Sequence, residues 1–166
     1  MTAVADTSPL LALANLDLLH LLPDLFERTL IPPAVLAEAT QRRPDAPGAR
    51  AIRRAIEAGI LQVEEAASGL RAGPMPDRLG PGEREAIALA LAVGAEWVVL
   101  DDRAARRYAT GLGPAVIGTV RILEFARESG RIDRVTPLLE QLRADGFRLG
   151  DDIIEMMRAV EHDPDR

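Results

Sequence analysis

The sequence predicts an α/β fold in which a mostly parallel sheet is covered on both faces by helices. Two observations carry this. Short apolar runs recur at Thr2 to Ala5, Thr29 to Ile31, Leu61 to Val63, Trp97 to Leu100 and Ala115 to Ile117. Stretches with helical apolar spacing stand between them. Uninterrupted apolar strands suit burial on both faces, and alternating strands and helices imply right-handed crossovers between parallel strands.

Taken in order, Thr2 to Ala5 reads as a buried strand, followed by a helical pattern from Pro9 to about Phe26 that breaks near Asn15 to Asp17 and is disturbed at Pro23. Thr29 to Ile31 is the second strand. Pro32 and Pro33 stand where a helix begins, which suits Ala34 to Thr40. Arg42 to Gly48 is a polar loop, and Ala49 to Ala58 repeats Ile52, Ala55 and Ile56 at helical spacing before Gly59. After the third strand, the Gly- and Pro-rich Ala66 to Pro81 reads as a long surface loop. Gly82 to Val93 is a helix stopped by Gly94, and Trp97 to Leu100 is the fourth strand, followed directly by Asp101 and Asp102. Arg103 to Thr110, Gly118 to Gly130, Val135 to Ala144 and Asp151 to Glu161 complete the helices, with the fifth strand after the first of them. No internal repeat is present.

The 166 residues suit one domain, 1–166, whose C-terminal helices begin at about 134. A hydrophobic share of 48% with 28% charged residues fits a soluble globular protein. The absence of cysteine excludes disulfides, thiolate metal sites and cysteine nucleophiles, and fits a cytoplasmic location. The most apolar region, Leu10 to Leu22, is interrupted by Asn15, Asp17 and His20, so no membrane span is expected. No basic segment leads into an apolar signal sequence.

The net charge of −6 argues against nucleic acid only if charge is spread evenly. All 20 basic residues are arginine, and they cluster at Arg42, Arg43, Arg50, Arg53 and Arg54 and at Arg103, Arg106 and Arg107. Arginine binds phosphate in a two-pronged geometry that lysine cannot match, although a genome rich in arginine codons also explains the missing lysines.

In parallel sheets, ligands bind beyond the carboxyl ends of the strands, where the strand order reverses. Asp6 follows the first strand and Asp101 the fourth, so neighbouring strands at the reversal put both carboxylates on one crevice. Glu38, Glu83, Glu85 and Asp102 complete the acids to weigh. Each has a structural alternative: Asp6, Asp101 and Asp102 as helix caps, Glu38 as a solvated helix residue, Glu83 and Glu85 as first-turn acids favoured by the helix dipole. Together they raise an electrostatic problem. Two carboxylates about 5 Å apart repel by roughly 3 kcal/mol at an effective dielectric near 20. Several converging on one crevice need protons or a cation, and an oxygen-only donor set suits Mg²⁺ or Mn²⁺. The histidines, His20 in a leucine-rich helix and His162 near the tail, do not suggest a zinc site. No phosphate-binding glycine loop with lysine, no dinucleotide fingerprint and no G-x-S-x-G is present.

The segments "VADTSPLLALANLDLLHLLPDLF", "LIPPAVLAEA", "GPGEREAIALALAVGAEWVVLDDRAARRYA", "VIGTVRILEFARESGRI" and "LLEQLRADGFRLGDDIIEMMRA" resemble, in order, the PIN-domain nucleases of the DUF3368 group. The resemblance implies a three-layer α/β/α sandwich around a central parallel sheet, and an acidic site binding Mg²⁺ or Mn²⁺ for RNA hydrolysis. It also implies a toxin of a toxin–antitoxin pair, inhibited by a small antitoxin protein. By the resemblance, the first family aspartate falls on Asp6, the helical glutamate on Glu38 and the final aspartate on Asp101, with Asp102 adjacent. The third acidic position falls on Glu83 when counted from Gly94 and on Glu85 when "EAIALA" is matched. Thr7 and Ser8 resemble hydroxyl neighbours that orient the first aspartate.

The resulting expectation is a metal-dependent endoribonuclease with Asp6, Glu38, Glu83, Glu85 and Asp101 in catalysis and these with Asp102 around the metal. Arg103, Arg106 and Arg107 are either RNA phosphate contacts or a solvated face. The alternative is a catalytically silent PIN-like module binding RNA or protein, supported by glutamate at the third position. An aspartate-phosphorylated domain lacks its required lysine here. A homodimer is expected, with Leu10 to Leu22 or "DDIIEMMRAV" as a dimer or antitoxin surface unless they are core.

Overall fold

The computed structural model describes residues 1–66 and 75–162. Its five strands are β1 (Thr2–Ala5), β2 (Arg28–Ile31), β3 (Gln62–Val63), β4 (Trp97–Val99) and β5 (Ala115–Ile117). They form one sheet in the order β3-β2-β1-β4-β5, parallel throughout. This is the expected α/β architecture of a central parallel sheet with helices between its strands. The strand order reverses between β1 and β4, whose register pairs Ala5 with Val99. The residues that leave these two strands, Asp6 and Leu100 onward, therefore enter the crevice where the sheet changes direction.

The helices are α1 (Thr7–Asn15), α2 (Leu22–Leu25), α3 (Pro33–Gln41), α4 (Pro47–Glu57), α5 (Pro81–Ala92), α6 (Arg103–Ala109), α7 (Thr119–Glu128), α8 (Thr136–Ala144) and α9 (Asp151–His162). Proline opens α3, α4 and α5, where its missing N–H is one of the amides no helix satisfies. The expected break after α1 occurs at Asp17, which adopts φ 58° while the Leu18 amide bonds back to the Leu13 carbonyl. His20 then lies exposed in a 3₁₀ turn, Leu19–Leu21, rather than within a continuous helix, with Nδ1 3.1 Å from the Asp17 carbonyl. The long-loop expectation for 66–81 falls partly on 67–74, which lie outside the described residues.

The chain divides into two compact units, Met1–Thr119 and Val120–Arg166. In the first, β1, β2 and β4 contribute Ala3, Val4, Leu30, Ile31, Val98 and Val99 to the core. Leu10, Leu13, Leu21 and Leu22 are also buried, so the leucine-rich stretch is core in this chain. α1 packs on α4, and α3 packs on both α4 and α5, which fixes the helix that carries Glu38 against the helix that carries Glu83. In the second unit α8 packs on α9, where the buried Glu161 carboxylate accepts the amides of Val135 and Thr136. Of the apolar residues in α9, Ile154 and Met157 are buried and Met156 is exposed. Among the described residues no helix is long and apolar enough to cross a membrane.

Leu30, fully buried in β2 beside the central strand, gives a direct test of this core. Leu30→Ala is expected to lower unfolding free energy by about 2–5 kcal/mol in urea denaturation, and a loss below about 1 kcal/mol would show that β2 is not packed as described.

Candidate metal centre

Asp6 leaves β1 with its amide still in the sheet, donating to the Val99 carbonyl at 3.0 Å. It occupies the N-cap position of α1, as its sequence context suggests, but its side chain makes no capping hydrogen bond. The residue is 3% exposed, and its Oδ1 is buried with no hydrogen-bond partner. A buried carboxylate in that state disfavours its own charge. Burial pushes the Asp6 carboxyl up from 3.8 to about 7; the amides of Thr7 and Ser8 counteract part of this, and the charges of Glu83 and Glu38 add to it.

Glu38 approaches from α3. Its Oε2 accepts the Thr7 hydroxyl at 2.8 Å and its Oε1 accepts the Gly82 amide at 2.9 Å, so Thr7 joins Asp6 to the site by orienting the neighbouring acid. Gly82 is the residue that lets the two meet. A Cβ built there would stand 2.6 Å from Glu38 Oε2 and 3.1 Å from Asp6 Oδ1, so only a glycine leaves the carboxylates their positions.

Glu83 follows in the first turn of α5 and reaches back to the Gly80 amide at 2.8 Å, the half of a capping box that a glycine N-cap permits. Its pKa is raised, first by burial and then by the charges of Asp102 and Glu38, against the lowering effect of the Gly80 amide. Glu85, two residues on, is exposed and turned elsewhere: its Oε2 accepts the Ala34 amide at 3.0 Å, one of the free N–H groups at the start of α3.

The two aspartates after β4 are used differently. Asp101 binds the start of α7, accepting the Thr119 amide at 2.8 Å and the Thr119 hydroxyl at 2.6 Å. Asp102 caps α6, its Oδ1 accepting the amides of Ala104 and Ala105 at 2.7 and 2.9 Å, while its charge is felt at Glu83. Ser8 is exposed, as are Arg103, Arg106 and Arg107 on α6. Arg106 stands beside Gly118, the glycine that Asp101 also approaches.

The structure thus brings Asp6, Glu38 and Glu83 together, sets Asp102 within electrostatic reach of Glu83, and gives Asp101 and Glu85 separate hydrogen-bond partners. Gly82 and Thr119 are additions to the residues singled out from sequence. A glycine in the first turn of "GPGEREA" was a signal of close approach, whereas nothing local marks Thr119 as the partner of an acid 18 residues earlier.

Comparison with known proteins identifies the family and the fold. The DUF3368 family model, described as a PIN domain, matches residues 2–161. The chain belongs to this PIN-domain family. PIN domains are generally nucleases and typically use divalent metal ions. A solved PilT N-terminus domain protein from the hyperthermophilic archaeon Sulfolobus solfataricus P2 shares the PIN-like fold, with a TM-score of 0.54 and 20% identity over 76% of this chain and 93% of that one. No curated protein matches the chain.

The site's donors suit the metal that the family implies, for they are all oxygen and one of them, Asp6 Oδ1, is buried without a partner. Among the described residues, however, no three acidic or histidine side chains form a ready-made cage. In this PIN domain Glu38, Glu83 and Asp102 are held by hydrogen bonds that a cation must share or displace.

Two outcomes follow. Because the folded-state pKa of Asp6 is raised, its contribution to stability is unimpaired below pH 4 and lost as pH rises towards 7, since the unfolded carboxyl ionises first. In metal-free buffer Asp6→Asn is therefore expected to raise Tm above pH 7 and to flatten the decline between pH 4 and 7; an unchanged pH profile in calorimetry would contradict the burial described. For a centre that takes Mn²⁺, as the family implies, Gly82→Ala is expected to weaken that binding about tenfold or more, because the new methyl displaces Glu38, and wild-type affinity in a calorimetric titration would contradict it.

Proposed function

We propose that this PIN domain is a metal-dependent endoribonuclease whose acidic centre is Asp6, Glu38 and Glu83, completed by Asp102. The observation that carries the reading is the buried, unpartnered Asp6 oxygen with two further carboxylates acting on it. Carboxylates drawn this close around a buried acid repel one another, a poor arrangement for stability alone, and a hard divalent ion would resolve it. When bound, Mg²⁺ or Mn²⁺ supplies Lewis-acid polarisation of the phosphodiester and lowers the pKa of water.

The chain's own groups do the rest. Asp6, fixed by the strand ladder on one side and α1 on the other, is the principal ligand. Glu38, oriented by the Thr7 hydroxyl and the Gly82 amide, is a ligand or accepts the proton of the attacking water. Glu83, with its raised pKa, holds the second position, and the leaving oxygen takes its proton from a group of this raised kind or from solvent. Asp101 acts at a distance, as a positioning residue that ties the end of β4 to Thr119. The whole of 1–166 acts as one PIN-like domain in this reading. A toxin role with a small antitoxin partner accords with the family resemblance; a homodimer and, from the absence of cysteine, a cytoplasmic setting belong to the same proposal.

A second reading has its own support. Glu38 and Glu83 already hold internal hydrogen bonds and no ready-made cage exists among the described residues, which favours a silent module that binds RNA or protein.

The discriminating assay incubates the protein with mixed RNA and Mn²⁺ or Mg²⁺, with a chelator control. Asp6→Asn, Glu38→Gln and Glu83→Gln are each expected to reduce cleavage by about 10²-fold or more, whereas Glu85→Gln stays within about threefold of wild type. Cleavage that persists in Asp6→Asn would overturn the site assignment, and no cleavage combined with no metal-induced Tm shift would establish the silent module.

A further inference from the structure

We propose that the elbow between α3 and α4 is a binding surface for the phosphodiester backbone of single-stranded nucleic acid, running away from the acidic centre along Arg42 and Arg43. The inference rests on the nuclease reading above for its placement and deepens it by naming where the substrate strand lies.

Charge distribution is the first observation. Between Gln41 and Ala58 the chain has five arginines against two acids, Asp45 and Glu57, although its formal net charge is −6. Residues 41–45 are exposed without interruption, as are Arg50, Arg53 and Arg54. A basic stretch of this kind on an acidic protein is a local electrostatic feature that overall charge conceals.

The five arginines divide into two sets. Arg50 donates to the Asp45 carbonyl at 2.6 Å, and Arg53 donates to the carbonyls of Pro44 at 2.7 Å and Thr40 at 3.2 Å. These bonds satisfy carbonyls of the loop and of the last turn of α3 and tie α4 to the elbow. The side chains of Arg42, Arg43 and Arg54 make neither hydrogen bonds nor ion pairs among the described residues; Arg54 lies in the last turn of α4 beside Ala14, Asp17 and His20, which leaves the guanidinium forks of Arg42 and Arg43 available to an anion at the elbow. Phosphate matches them in a two-pronged geometry.

Position supplies the final argument. Arg42 follows Glu38 by four residues, and its φ of −65° and ψ of −38° continue the helix, so it stands one turn along α3 from a carboxylate of the acidic centre. A strand whose scissile phosphate lies at that centre can place neighbouring phosphates against the elbow. The segment 41–58 contains no aromatic residue on which a base could stack. The contact is therefore to the backbone, and it contributes affinity without choosing sequence.

Fluorescence anisotropy with a labelled single-stranded RNA 12-mer in chelator, on Asp6→Asn protein, separates this binding from cleavage. The R42Q/R43Q variant in that background is expected to weaken binding about fivefold or more at low salt and to reduce the slope of log affinity against log salt by about 1.4, two contacts at roughly 0.7 each. R148Q, which removes an exposed arginine elsewhere in the sequence, is expected to leave both values nearly unchanged. A DNA 12-mer of the same sequence should bind alike and lose as much in the double variant. Equal affinity and slope in the double variant, or displacement of RNA by a polyglutamate peptide at matched charge, would overturn the proposal. Arginine-dependent binding by a wild-type protein that never cleaves RNA would support the elbow while rejecting the nuclease reading.

Discussion

The arrangement of the site depends on one buried oxygen, Asp6 Oδ1, which has no hydrogen-bond partner. The backbone on either side is fully committed: the amide of Asp6 extends the β1–β4 ladder and its carbonyl accepts the Leu10 amide of α1. The main chain that carries the carboxylate cannot move away from its neighbours without disturbing the central strand. Its raised pKa reports the cost of that position, and a proton or an external cation is what offsets it.

The surrounding acids are positioned by neutral groups. Glu38 is held by a hydroxyl and an amide, Glu83 by an amide, Asp102 by two amides and Asp101 by an amide and a hydroxyl. Among the described residues, none of these side chains forms an ion pair with an arginine, despite the arginines close by in sequence at 103, 106 and 107. Dipoles orient a carboxylate while leaving its charge in place. The centre therefore keeps a negative field that internal ion pairs would have cancelled.

Much of this was legible in the sequence because it is local. The apolar run before Asp6 marks a buried strand, and the carboxyl end of such a strand is where sites lie in parallel sheets. The choice between Glu83 and Glu85 was not legible, because residues two apart on a helix face different directions and only the packing of α5 on α3 decides which faces the crevice. In the structure Glu85 meets the Ala34 amide while Glu83 interacts with Glu38 and Asp102. Asp101 and Asp102 are a similar case: adjacent in sequence, they are separated in use by Thr119, whose approach depends on where β5 ends. The close passage of Gly82 is likewise a tertiary fact, with only the presence of a glycine in a first helical turn to announce it.

The most direct test of the account is isothermal titration of the metal-free protein with Mn²⁺ at pH 6.5, in two buffers of different ionisation enthalpy. An Asp6 carboxyl with a pKa of about 7 is largely protonated there, so binding should release a proton, the measured heats should differ between buffers, and the difference should shrink at pH 8.5. Asp6→Asn should bind weakly or not at all. Equal heats in both buffers at pH 6.5, or undiminished binding by Asp6→Asn, would contradict the claim that this one carboxylate organises the metal centre.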